Sequence, residues 1–68
     1  MAAYRRIREL REDHDLTQRQ VADYLKMTQP QYWRYEAGYR DIPTDVLVAL
    51  ADLYKTTVDY ILGRTYTA

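Results

Sequence analysis

The chain contains no cysteine and no phenylalanine, only two glycines and two prolines, and no net charge, with ten basic and ten acidic residues. Without cysteine it has neither disulfides nor thiolate metal ligands, and a reducing cytoplasm is the expected setting. Its single histidine, His14, has no Cys or His neighbour to complete a metal site and no adjacent nucleophile to activate. With Gly38 and Gly63 alone, no glycine-rich phosphate loop can form. No apolar run approaches the ~20 residues of a membrane span, and the charged start MAAYRRIREL lacks the apolar stretch of a signal peptide. The absences exclude whole classes. No catalytic constellation is present, so an enzyme is not expected, nor is a cofactor, a metal or a small-molecule ligand.

At 68 residues the chain reads as one domain, residues 1–68, near the lower size limit for an unstapled core. Nothing is seen after this domain, so a ligand-sensing or self-cleaving module is not expected. The neutral balance hides some segregation. Arg5, Arg6, Arg8 and Arg11 crowd the first helix, and Arg34 and Arg40 lie farther on. Beyond Arg40, Asp41, Asp45, Asp52 and Asp59 face only Lys55 and Arg64. Local distribution matters more than net charge for a docked partner. Eight tyrosines and one tryptophan supply the aromatic content. A tyrosine-built core suits a domain in which most large residues lie near solvent and keep the hydroxyl wet, and each tyrosine is expected in the core or at its boundary.

Periodicity predicts helices and no strand. The first runs from about Ala3 to His14, with Tyr4, Ile7, Leu10 and Arg11 at helical spacing, and Asp15 closes it in left-handed geometry. The second spans about Gln18–Leu25. The third starts after Thr28 and ends before Gly38, a natural C-terminal stop. A fourth, from about Thr44 to Tyr54, carries the stripe Leu47, Leu50, Ala51, Tyr54. Thr56 or Thr57 caps a short fifth through Val58, Ile61 and Leu62, stopped by Gly63, and residues 64–68 form a short flexible tail.

The segment Leu16–Gly38 carries the most information. Thr17 with Gln20, and Thr28 with Gln31, both fit the capping box, in which two side chains satisfy orphan amides at a helix start. That duty makes Gln20 and Gln31 structural and leaves Gln18 free. Between the caps, Val21, Ala22, Leu25 and Met27 form an apolar seam that Tyr32 and Tyr35 continue, and Ala22 sits where crossing helices need a minimal side chain. Pro30 is the second residue of the third helix, inside the first turn, where an amide has no intrahelical partner. Two short helices joined by a tight turn, about residues 17–37, follow helix-turn-helix grammar and point to DNA.

The order of caps, the small Ala22, the Tyr-x-x-Tyr-Glu-x-Gly run at Tyr32 to Gly38, and the closing LVALADLYKTTVDYILGR resemble the Cro/phage-repressor (XRE-type) helix-turn-helix family from about Ile7 to Arg64. The resemblance implies an all-α, five-helix lambda-repressor-like domain. It further implies sequence-specific double-stranded DNA binding as a bacterial or phage transcriptional regulator, with the third helix in the major groove. A homodimer on a palindromic operator is the implied partner arrangement.

By position in that family, Gln29, Pro30, Trp33 and Arg34 occupy the outward face of the recognition helix and are the base-contact candidates. Gln18, Thr28, Tyr39 and Arg40 are the phosphate candidates. Arg11 and Glu36 match a buried ion pair that ties the first helix to the third. Val58, Tyr60 and Ile61, with Tyr66 beyond them, fall where the family often dimerises. Lys26 stands in the turn where the family favours a left-handed glycine, and Pro30 and Trp33 replace small or polar residues on the recognition face.

The residue chemistry leaves alternatives open. A guanidinium such as Arg34 can bond both acceptors of guanine's major-groove edge, or rest on a phosphate. Gln29 suits adenine's edge or a phosphate. Trp33 suits a sugar or thymine methyl, a protein contact, or packing over a neighbouring turn. A rival class is therefore a protein-interaction module or antitoxin-like partner that uses the same helical face.

Overall fold

The computed structural model describes residues 5–64. The expectations for Ala3, Tyr4, Tyr66 and the tail at 65–68 lie outside the described residues. Five helices follow in order: α1 (Arg5–Asp13), α2 (Gln18–Tyr24), α3 (Gln29–Ala37), α4 (Thr44–Tyr54) and α5 (Val58–Ile61). No strand occurs among the described residues. None of these helices is long and apolar enough to cross a membrane.

Both predicted capping boxes are formed. Thr17 Oγ1 accepts from the Gln20 amide at 3.1 Å, and Gln20 Oε1 accepts from the Thr17 amide at 2.8 Å. Thr28 and Gln31 repeat the arrangement at 3.3 and 2.9 Å. Thr57, not Thr56, caps α5 through the Tyr60 amide at 3.0 Å. By contrast Pro43, at the N-cap of α4, provides no side-chain cap.

All five helices close in the same way. Asp15, Lys26, Gly38, Lys55 and Gly63 adopt left-handed backbone, with φ between 54° and 82°. In each case the next amide reaches back to the carbonyl five residues earlier: Leu16 to Arg11, Met27 to Ala22, Tyr39 to Arg34, Thr56 to Ala51 and Arg64 to Asp59, at 2.8–3.0 Å. This is the Schellman closure, which satisfies carbonyls orphaned at a helix end. The chain has two glycines for five such positions, so two lysines and an aspartate carry the strain instead. The sequence pattern anticipates Asp15, Gly38 and Gly63 as helix ends, and the family resemblance points to Lys26. Neither offers a sign of Lys55.

The core joins Ile7 and Leu10 of α1, Val21 and Ala22 of α2, Tyr32 of α3, Ile42, and Leu47, Leu50, Ala51 and Tyr54 of α4, closed by Ile61 of α5. Two of its members are tyrosines from the predicted apolar seam and stripe. Tyr32 is fully buried, and Tyr54 is nearly so. The Tyr32 hydroxyl is satisfied by donating to Glu36 Oε2 at 2.6 Å. Tyr54 Oη and Thr56 Oγ1 are buried with no hydrogen-bond partner among the described residues. His14 sits at the exposed end of α1, its Nδ1 2.9 Å from the Leu10 carbonyl and its ring 5.0 Å from that of Tyr54.

Candidate nucleic-acid interface

The helix pair α2–α3 is anchored by one carboxylate. Glu36, on the inward side of α3, receives Arg11 Nε at 2.7 Å and Nη2 at 3.2 Å, the Tyr32 hydroxyl at 2.6 Å, and Gln18 Nε2 at 3.1 Å. The Arg11 and Glu36 side chains are 13% and 4% exposed, so the pair lies largely out of water. Arg11 also donates through Nη1 to the Leu16 carbonyl at 2.9 Å, which fastens α1 to the chain entering α2. A buried charge of this kind persists only when its partners complete it.

Burial on its own would push the Glu36 carboxyl up. The hydrogen bonds from Arg11, Tyr32 and Gln18, with the Arg11 charge, outweigh burial and hold it below its ordinary value. Glu36 is therefore an ionised, acceptor-only group at neutral pH. Burial first, then the same carboxylate, pushes the Tyr32 hydroxyl well above the usual tyrosine range. Tyr54 is pushed up to about 12, again by burial first and Glu36 second.

Gln18 is not the free residue that its position suggested. Its amide nitrogen is held by Glu36, and its oxygen accepts from Gln29 Nε2 at 2.6 Å. The engagement was invisible in sequence because the partners lie 18 and 11 positions away. At the first position of α2, its backbone amide has no intrahelical partner and remains a donor.

The other candidates divide into two groups. Gln29, Pro30, Trp33 and Arg34 are all exposed on α3. Arg34 makes no ion pair with any described residue. Trp33 is 45% exposed, and its ring centroid lies 5.5 Å from that of Tyr39, tilted by 32°. The two rings form one aromatic surface across the α3 terminus. Tyr39 and Arg40 are exposed just beyond Gly38, and Thr28 is exposed at the start of α3, although its oxygen is engaged as a cap.

At the opposite end, the candidate dimer residues fare unevenly. Ile61 belongs to the core at 2% exposure and has no surface to offer a second chain. Its helical spacing marked an apolar face without saying which way that face points. Tyr60 is half-buried beneath Arg6, whose guanidinium stacks 4.4 Å from the ring centroid and donates to the Tyr60 carbonyl at 2.8 Å. Val58 is half-buried against the core. In this half the exposed large apolar side chains are Val48 on α4 and Leu62 just past α5; the sequence pattern places Leu62 in the fifth helix and does not single out Val48.

A five-helix fold with a doubly capped α2–α3 pair, a left-handed turn at Lys26 and an exposed outer face on α3 defines a helix-turn-helix domain. The sequence matches the helix-turn-helix family over residues 7–61, and the chain belongs to that family, in its XRE-type branch. It is 47% identical over 60 residues to the uncharacterized HTH-type transcriptional regulator YobD of Bacillus subtilis, which covers 88% of this chain and 54% of that protein. The HTH-type transcriptional regulator AnsR of the same organism is 41% identical over 59 residues, 87% of this chain and 51% of the relative. For the HTH-type transcriptional regulator ImmR the values are 36% over 64 residues, 94% and 50%. The chain thus spans about half the length of the curated relatives it matches. A crystal structure of a transcriptional regulator from Listeria innocua superposes with a TM-score of 0.80, covering 91% of this chain and 58% of the other. At 21% identity it speaks to the fold alone.

Proposed function

We propose that this chain binds double-stranded DNA sequence-specifically as a transcriptional regulator, with α3 in the major groove and α2 across the backbone. The observation that carries the reading is the exposed row Gln29, Pro30, Trp33 and Arg34 on a helix whose inner side is locked to α1 and α2 through Glu36. A rigid helix with polar side chains facing out is what base-edge recognition requires. Arg34, with no ion-pair partner among the described residues, suits guanine. Gln29 suits adenine. Thr28, Tyr39, Arg40 and the backbone amide of Gln18 are assigned to phosphates, which position the helix without reading sequence.

A domain this small reads few base pairs, so a homodimer on a palindromic site is proposed, with half-sites about 34 Å apart. Val58 and Tyr60 remain candidates for its interface, joined by Leu62 in place of Ile61. A second reading, in which the α3 face binds a protein, draws support from the exposed Trp33–Tyr39 pair. Absence of DNA binding at low salt would favour it.

The test is selection of bound duplexes from a random-sequence pool at two salt concentrations. The expected result is an inverted repeat whose affinity falls on the order of a thousandfold between about 50 and 200 mM salt if about six phosphates are neutralised. Arg34→Ala should relax one position of the motif at a cost of about 1–3 kcal/mol. Salt-sensitive retention with no motif would reduce the proposal to non-specific binding, and no retention would overturn it.

A further inference from the structure

Glu36 does more in this geometry than complete an ion pair. A carboxylate only accepts hydrogen bonds, so the Gln18 amide can face it only with its nitrogen, as the 3.1 Å contact has it. The Gln18 oxygen is thereby turned towards α3, where it takes a hydrogen from Gln29 Nε2 at 2.6 Å. Gln29 is left with its oxygen and one remaining N–H to present outward. An acceptor beside a donor complements adenine's major-groove edge, which offers the N6 donor and the N7 acceptor. Were the Gln18 amide rotated by half a turn, it would donate to Gln29, and the Gln29 oxygen would turn inward. Two donors would then face out, a pattern suited to guanine's O6 and N7 acceptors.

We infer that Glu36 is a specificity-determining positioning residue, which sets the base preference of Gln29 through the fixed orientation of the Gln18 amide without touching DNA. The inference rests on the DNA reading above. Its physical content is a chain of hydrogen bonds whose donors converge on the acceptor-only Glu36, from Arg11 on one side and from Gln29 through Gln18 on the other. Arg11 fixes the carboxylate, the carboxylate fixes Gln18, and Gln18 fixes Gln29, with each link 2.6–3.2 Å long. The exposed end of the chain inherits the rigidity of the buried end, which a solvent-exposed glutamine on its own would lack.

The test compares wild type, Glu36→Gln and Tyr32→Phe by duplex selection, with helicity measured alongside. Tyr32→Phe removes a different bond to the same carboxylate, on Oε2, and leaves Gln18 on Oε1. It therefore lowers stability while sparing the chain. In Glu36→Gln the side-chain amide can donate as well as accept, and the Gln18 orientation is no longer imposed. The expected result is that adenine preference at one motif position falls about tenfold or more in Glu36→Gln, with guanine gaining, while Tyr32→Phe keeps the wild-type motif.

A motif unchanged in folded Glu36→Gln, or lost equally in Tyr32→Phe, overturns the inference. If Glu36→Gln does not fold, Gln18→Met decides, because it leaves the Arg11–Glu36 pair intact. Retained adenine preference in that variant overturns the inference, and its loss, with the rest of the motif intact, supports it. Side-chain amide exchange by NMR in the free wild-type protein separates this failure from failure of the DNA reading. Slow Gln18 Nε2 exchange with no motif in any pool sinks the DNA reading and the base-reading role with it. Fast exchange sinks the positioning chain by itself.

Discussion

The two halves of this domain are held together by different physics. Around α2 and α3, directional contacts dominate: two reciprocal capping boxes, a largely buried ion pair, and a glutamine chain running from Glu36 to the surface. Around α4 and α5 the work falls to apolar packing of Leu47, Leu50, Ala51, Tyr54 and Ile61, with no side-chain cap on α4 and a fifth helix of four residues. Apolar burial is non-directional and fixes where elements sit. Hydrogen-bonded polar groups also fix which atom of a side chain faces which way. The half that carries the proposed interface is the one built from contacts that orient, and the other half serves as its platform.

That contrast can be broken at its strongest point. Removing Glu36 by Glu36→Ala strands Arg11 and should cost about 3–5 kcal/mol in denaturant unfolding, the cost of breaking a buried pair from one side. The loss has a signature in pH. The folded Glu36 carboxyl titrates below its ordinary value of 4.5, so its contribution is complete above that pH. It is lost as pH falls through the lower folded value, because the unfolded chain takes up the proton first. Wild-type stability should therefore drop on acidification below about 4.5, and the Glu36→Ala profile should be flatter there.

Leu50→Ala, at a fully buried position of the platform, should cost about 2–5 kcal/mol. Its acid profile should run parallel to wild type, since no titrating group is touched. A steepened or flattened profile in this variant would mean that the two halves are not energetically distinct.

Smaller effects sharpen the comparison. Thr17→Ala and Thr28→Ala should each cost about 1 kcal/mol through loss of the caps at α2 and α3. Pro43, which makes no cap, offers no comparable loss at α4. The smallest change is a gain. Lys26→Gly and Lys55→Gly relieve left-handed backbone at φ 59° and 54° and should each raise stability by about 0.5–1 kcal/mol. An unchanged melting temperature in both would mean that neither lysine is strained.

Much of the fold was legible because it is written locally. Caps, helix periods and stops act within a few residues, so Thr17, Thr28 and Gly38 mark boundaries that hold in three dimensions. The apolar pattern places Tyr32 and Tyr54 on inward faces, but that the Tyr32 hydroxyl would end on Glu36 is set by the packing. Misjudged residues depend on partners far along the chain. Ile61, placed at the dimer interface by the family resemblance, lies in the core, because helical spacing identifies an apolar face without naming what covers it. Lys55 gave no hint of left-handed backbone, since lysine does not advertise it as glycine does.

The sequence by itself determined the helix order, the capped helix-turn-helix and the family, all of which rest on short-range rules of hydrogen bonding and periodicity. Only the tertiary structure decided which atoms meet across that frame: Gln18 between Glu36 and Gln29, Trp33 against Tyr39, and Arg6 over Tyr60. The reason is geometric. Side chains distant in sequence are brought within about 3 Å only when the helices pack, and at that range hydrogen-bond direction selects a single arrangement.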